Sequence, residues 1–288
     1  MAEAKAEGGA GEDELWRVID ADAARRGVAA ARLGYFCVPF RPADGPLADR
    51  VIKVYRSLGD RAAAARLSAA HAAYLALLAG AGVRVPATEF RLLSRGPALV
   101  PVIVQAALPD TSMMRHGMQR EDLAGTLRLM DAAGDVIARF WAAVAGRPER
   151  IGFHPSIRNL AVVDGEAVFF DTFPPLIGYS RAEMGRLLLT FSDRRLMRMV
   201  GALFRGTVTA IQDEWYSPAG TVTGLVGSAC RLRPEHTGAY LDWGRRFARE
   251  RMPAHAAEIV ADLDRPPRLP GYWMAMRRAL GLQGQPYT

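Results

Sequence analysis

One dipeptide constrains the fold of this chain more than any other feature. Asp164-Gly165 stands between two short apolar runs, LAVV (160–163) and AVFFD (167–171). Asp-Gly flanked by β-forming residues specifies a two-residue hairpin, because both turn positions need a positive φ. The surroundings of this hairpin read as helix. REDLAGTLRLMDAAGDVIARFWAAVAG (120–146) has the spacing of one long amphipathic helix before it. Helical patterns dominate after it, broken near Pro218, Pro234, Pro253 and in DRPPRLPG (264–271).

The first hundred residues differ in character. ELWRVIDADAARRG (14–27) has a helical spacing that ends at Gly27. LGYFCVPF (33–40) is rich in β-formers and precedes the turn-prone RPADGP (41–46). ADRVIKVYRS (48–57) alternates as a strand does, with Val51, Lys53 and Tyr55 on one face and Ile52 and Val54 on the other. An Ala- and Leu-rich helix is expected over 60–80, then strands over 87–94 and 98–108. The chain is therefore α+β, with a small β-rich part over 15–110 and a larger, mainly helical part over 111–288. Residues 1–14 are small and acidic and read as a disordered tail.

Composition narrows the function classes. Two cysteines, Cys37 and Cys230, are too few for a disulfide framework or a zinc cluster and point to a reducing, cytoplasmic setting. The longest nearly uncharged run, PALVPVIVQAALP (97–109), holds three prolines and is too short to span a bilayer, so no membrane partner is expected. Abundant arginine and alanine suggest a GC-rich, bacterial genome. The net charge of +7 favours phosphate-bearing ligands. Aromatic interleaving suited to base stacking is absent, which argues against a nucleic-acid partner. His116, His236 and His255 are isolated and show no metal-ligand spacing. Trp215, Tyr216, Tyr240 and Trp243 fall among helices, where core packing is the expectation.

Two features carry chemistry. Apart from Lys5, Lys53 is the only lysine in the chain. In a sequence that otherwise writes arginine, it marks a strand position where a compact point charge on a flexible stem serves better than a planar fork. The second feature is His154-Pro-Ser-Ile-Arg-Asn159, followed by the hairpin and Asp171. An amide and a carboxylate at the open end of one hairpin supply the hard oxygen ligands that Mg²⁺ prefers.

The order of elements, Lys53 on its strand, and the spacing of Asn159, the hairpin and Asp171 together resemble the protein-kinase-like superfamily, in particular its aminoglycoside and choline phosphotransferase branch. The resemblance covers roughly residues 30–175. It implies a two-lobed fold, with a small β-rich N-lobe and a larger helical C-lobe. It further implies ATP and Mg²⁺ as cofactors, Lys53 on the nucleotide phosphates, and Asn159 and Asp171 on the metal. Three positions depart from the family pattern. His154 stands where a catalytic Asp is expected, five residues before Asn159. His71 stands where the helix Glu is expected, and no acidic residue lies between Asp60 and Glu89. No Gly-rich loop is present, and Thr-Phe-Pro-Pro follows Asp171 where the protein kinases have Phe-Gly.

The candidate catalytic residues are thus His154, Arg158 and Asp171, with Lys53, Asn159 and Asp171 for the cofactors. His154 positions or deprotonates the acceptor, and Arg158 offers an anion clamp beside it. The leading expectation is an atypical ATP- and Mg²⁺-dependent phosphotransferase acting on a small molecule or modified peptide in a bacterial biosynthetic pathway. Two alternatives stay open. One is a kinase-like fold repurposed for elimination or cyclisation; the other is a pseudokinase partner of a biosynthetic enzyme.

Overall fold

The computed structural model describes residues 8–26, 36–191 and 212–265. The protein is α+β and divides into two compact units. Of the described residues, the first unit holds 8–26, 36–68, 87–107 and 190–191, and the second holds 69–86, 108–189 and 212–265.

The first unit is built on an antiparallel sheet of β1 (Arg50–Val54), β2 (Thr88–Arg95) and β3 (Ala98–Ala106), in the order β1-β3-β2. Strand alternation sorts its side chains. Ile52 and Val54, with Leu93, Val100, Val102 and Val104, pack against Leu15, Val18 and Ile19 of α1 (Gly8–Arg26). The i, i+3, i+4 spacing of those helix residues gives α1 one apolar face. Lys53 pairs across the ladder with Ile103 on the opposite face of the sheet, and it is buried. Tyr55 follows Lys53 on that face and meets the edge of the Phe191 ring at 6.3 Å between centroids.

Two expectations for this region need correction. Of the expected tail 1–14, Gly8–Glu14 belong to α1, and residues 1–7 lie outside the described residues. Glu12 takes the Ser94 N–H at 2.9 Å, and Arg95 both pairs with Asp20 at 2.7 Å and lies 4.1 Å over the Trp16 ring. These contacts hold the start of the helix to the end of β2. The expected strand 33–40 is, over its described residues, a single bridge: Phe40 exchanges hydrogen bonds with Ile52 at 3.0 and 2.7 Å. Pro39 and Pro42 stand close on either side and lack the N–H groups that a longer ladder needs. Residues 33–35 lie outside the described residues.

Helix α2 (Arg61–Gly80) is capped by Asp60, whose Oδ1 accepts the N–H groups of Ala62 and Ala63. Its buried residues, Ala64, Leu67, His71, Tyr74, Leu77 and Leu78, recur every three to four positions and form one face. Among the described residues it is the one helix long and apolar enough to cross a membrane. That buried face marks it as a core helix.

In the second unit the expected helix 120–146 is α4 (Leu123–Val144), and a short separate helix, α3 (Met114–Arg120), precedes it. The break falls where Asp122 turns its carboxylate onto the Gly125 N–H at 2.7 Å and starts α4 anew. The guanidinium of Arg233 closes the end of α3 by donating to the carbonyls of Met118 and Glu121. The hairpin β4 (Leu160–Val163) and β5 (Glu166–Phe169) follows, then α5 (Arg181–Phe191). Beyond residue 212 come α6 (Pro218–Leu232), α7 (Thr237–Arg251) and α8 (Ala256–Leu263). Pro218 opens α6, and Pro234 and Pro253 open 3-10 turns between helices, so these prolines mark boundaries as the sequence implies. Helix α4 is the centre of this packing. Its Asp131 takes the Trp243 indole N–H at 2.7 Å, and its Thr126 takes the Tyr240 hydroxyl at 3.1 Å.

Gly134 of α4 gives a test of this packing. A Cβ there would stand 2.7 Å from the ring of Phe247, which is itself buried and stacked on Trp243. Gly134→Ala would gain about 1 kcal/mol of helix propensity, but the clash costs about 1–3 kcal/mol. Net destabilisation is expected in urea titration; a stabilised variant would refute the close α4–α7 packing.

Candidate active site

The hairpin places the first functional group. β4 and β5 pair from Leu160↔Phe169 to Val163↔Glu166, and Asp164 and Gly165 close the turn with φ of 54° and 78°. Both edges of the hairpin are covered. Phe169 donates to the Arg84 carbonyl at 2.8 Å on one side, and Met113 bridges Ala161 on the other. At the open end the Phe170 N–H donates to the Asn159 carbonyl at 3.1 Å. Asn159 and Phe170 therefore stand opposite each other where the two strands part, and Asp171 is the next residue.

The loop before Asn159 is locked into the core. Gly152 N–H donates to Leu176 C=O at 2.8 Å, and Phe153 N–H donates to Trp215 C=O at 2.7 Å. The Phe153 ring is fully buried, stacked 4.5 Å from Phe140 and edge-on to Phe169. Glycine is required at 152, because a Cβ would come within 2.8 Å of the Trp215 carbonyl and 2.9 Å of the Tyr216 ring. The loop then turns tightly, with Ser156 N–H on His154 C=O and Asn159 N–H on Ser156 C=O.

This turn brings two side chains together. The Asn159 amide nitrogen lies 3.0 Å from the His154 carbonyl oxygen and 3.2 Å from His154 Nδ1. The carbonyl can only accept, so the NH₂ end of the carboxamide faces His154 and Oδ1 faces away. His154 stacks on Trp215 at 4.5 Å between ring centroids. Burial pushes its pKa from 6.5 down to about 4, so the ring is neutral at physiological pH and a poor base there.

Helix α2 grips both sides of the arrangement with residues one turn apart. His71 Nε2 lies 3.0 Å from the Thr172 hydroxyl, and both side chains are fully buried. Tyr74 donates its hydroxyl to Gly152 C=O at 3.1 Å. Burial raises the Tyr74 phenol well above its ordinary range, and the charge of Asp171 adds to the shift, so the hydroxyl stays a donor.

The expected site residues are thus placed as follows. His154 and Asn159 are in contact in the second unit, where Asn159 is buried; Asp171, two residues beyond β5 in the same unit, is half-buried. Arg158 adjoins them in sequence but is exposed. Lys53 belongs to the first unit and is buried, although β1 lies at the edge of its sheet. Among the described residues no group of three or more His, Cys, Asp or Glu could hold a metal. A site made of one amide and one carboxylate does not require such a cluster, because Mg²⁺ keeps several water and phosphate ligands. A cleft of about 300 Å³ lies apart from this loop, between α4 and α7, where Asp135 and Arg251 satisfy each other at 2.8 Å.

Residues 14–284 match the model of a family of unknown function, DUF6206. The chain belongs to the DUF6206 family. No curated protein matches it. Three residues that support the site of this DUF6206 chain were not legible as functional. Trp215 carries the His154 ring, and Tyr74 and Thr172 fix the loop and the segment after Asp171. The only hint for Tyr74 was its i+3 spacing from His71 on α2; the other two act through long-range contacts that leave no local pattern.

Two outcomes follow for stability. The unfolded chain titrates His154 near 6.5 and the folded chain near 4. The His154 contribution is therefore complete above pH 6.5 and is lost as pH falls through 4, on the order of 2 kcal/mol for a half-buried ring. Urea titrations should show a shallower loss of stability over this window in His154→Gln than in the native protein. Thr172→Val keeps the shape but takes away the partner of His71 Nε2, and should cost about 1–3 kcal/mol at pH 7. An unchanged urea midpoint would contradict that bond.

Proposed function

We propose that this DUF6206 chain is an atypical ATP- and Mg²⁺-dependent phosphotransferase of two-lobed, kinase-like architecture, acting on a small molecule or modified peptide in a bacterial biosynthetic pathway. The observation that supports this reading best is the orientation of Asn159. Its NH₂ is committed to His154, which turns Oδ1 away from the ring at the open end of the hairpin, where Asp171 follows the Asn159–Phe170 pair. Among the described residues that oxygen accepts no hydrogen bond. One carboxamide oxygen and one carboxylate suit a hard divalent cation, so the donor set fits Mg²⁺. A cation held there would offset charge on the phosphate oxygens during transfer.

The other parts of the reading come from the kinase-like resemblance. Lys53 takes the phosphate role, consistent with the burial of a lone lysine on its strand. Asp171 is fixed by its neighbour, since Thr172 is tied to α2 through His71. A neutral hydrogen bond thus stands at the helix position where the resemblance implies a glutamate. One observation favours a second reading, a nucleotide-binding partner protein without turnover: the residue in the catalytic-loop position is a neutral histidine rather than a carboxylate.

Thermal unfolding tests the reading, because a ligand that binds only the folded state stabilises it by about 2.7 kcal/mol at a hundred times its Kd. For a chain of this size that corresponds to a rise in Tm of roughly 5–10 °C. We expect the rise with ATP and Mg²⁺ together, little with ATP alone, and a much smaller one in Asp171→Ala and in Lys53→Ala. No shift at millimolar Mg–ATP would overturn the phosphotransferase and the nucleotide-binding readings alike.

A further inference from the structure

We propose that residues 212–216 form a strap across the His154 loop whose middle is held closed at a cost and opens locally, without global unfolding. Three contacts join strap and loop. Trp215 C=O takes the Phe153 N–H at 2.7 Å, and the Trp215 ring stacks on His154 at 4.5 Å between centroids. The Tyr216 ring packs on Gly152, where a Cβ would meet it at 2.9 Å. Arg150, just before the loop, lays its guanidinium over the same ring, 3.3 Å from its centre.

The ends of the strap are satisfied. Arg181, the first residue of α5, donates to both carboxylate oxygens of Asp213 at 2.9 and 2.5 Å, and its C=O accepts from Gln212 at 3.0 Å. Beyond the strap, Ser217 caps α6 by accepting the Gly220 N–H at 3.1 Å. The middle differs. Arg150 Nη1 and Tyr216 Oη are both shut off from solvent, and among the described residues neither has a hydrogen-bond partner. Burial raises the Tyr216 phenol above its ordinary range although Arg150 pulls the other way, so the hydroxyl keeps its proton. Arg150 Nη2 is only loosely held, 3.4 Å from Gln212 Oε1 and 4.0 Å from Asp213 Oδ1.

Two buried donors without acceptors weigh against the closed arrangement, because water satisfies both once the strap lifts. The attraction of a guanidinium for a ring face offsets only part of that cost. An element that is marginal in this way opens locally while the rest of the fold stays intact. Opening parts Tyr216 from Arg150 and Gly152, breaks the Phe153–Trp215 bond and takes Trp215 off the His154 ring. Gly152 keeps its own bond to Leu176 C=O, which does not involve the strap. The His154 ring therefore has two states, one stacked and one uncovered, and the strap selects between them. The inference stands apart from the phosphotransferase reading and needs no nucleotide.

Native-state hydrogen exchange of the full chain, followed by NMR in low concentrations of urea, tests this. We expect the Phe153 amide to exchange faster than the Gly152 amide, with the shallow urea dependence that marks local opening. Tyr216→Phe and Arg150→Met each keep a side chain at the contact and delete one unmatched donor. Each should slow Phe153 exchange roughly fivefold or more and leave Gly152 unchanged. If the two residues only support the loop, the same substitutions loosen it, and the sign is the opposite. Faster or unchanged Phe153 exchange in either variant overturns the proposal, as does Phe153 exchange in the native protein that tracks global unfolding.

Discussion

The candidate site depends on one side chain with two ends. The amide nitrogen of Asn159 is spent on His154, bonding its backbone oxygen at 3.0 Å and its ring at 3.2 Å. That commitment closes the tight turn 154–159, sets the tautomer of the histidine and leaves the carboxamide oxygen facing outward. The backbone of the same residue receives the Phe170 N–H, so the loop and the hairpin meet at Asn159. An aspartate at 159 would present acceptors to two acceptors and a leucine would leave them unpaired. Either change disturbs loop, ring and hairpin together, because a buried network is satisfied as a whole or not at all.

Side-chain hydrogen bonds hold the loop and the segment after the hairpin in place. His71 meets Thr172, Tyr74 meets Gly152 C=O, and Asn159 meets His154, all in buried or half-buried surroundings. A buried ion pair must recover the cost of desolvating two charges, whereas neutral partners avoid most of that cost. The loop therefore keeps its geometry without a carboxylate. What it gives up is basicity, since burial holds His154 at about 4.

Much of the fold was legible because its signals are local. Alternation located β1, β2 and β3 to within a few residues, and Asp164-Gly165 fixed the hairpin through the positive φ that both positions adopt. The errors also have local causes. Two prolines cut the described part of the expected strand 33–40 to one bridge, and Asp122 sets the start of the expected helix 120–146 at Leu123 by capping it. The His154–Asn159 contact was within reach of sequence reading because the two residues lie five apart in one tight turn. The roles of Trp215, Tyr74 and Thr172 were not, since each depends on where distant segments pack. The state of His154 was hidden for the same reason: its residue type permits a base, and burial makes it a poor one.

Equilibrium dialysis with radiolabelled ATP tests the central claim most directly, namely that the outward oxygen of Asn159 and the Asp171 carboxylate serve a metal-bound nucleotide. The account predicts one equivalent of saturable binding in the presence of Mg²⁺, its loss on chelation, and at least tenfold weaker binding in a folded Asn159→Leu variant. No saturable binding at millimolar ATP, or binding indifferent to Mg²⁺ and to Asn159, would contradict it.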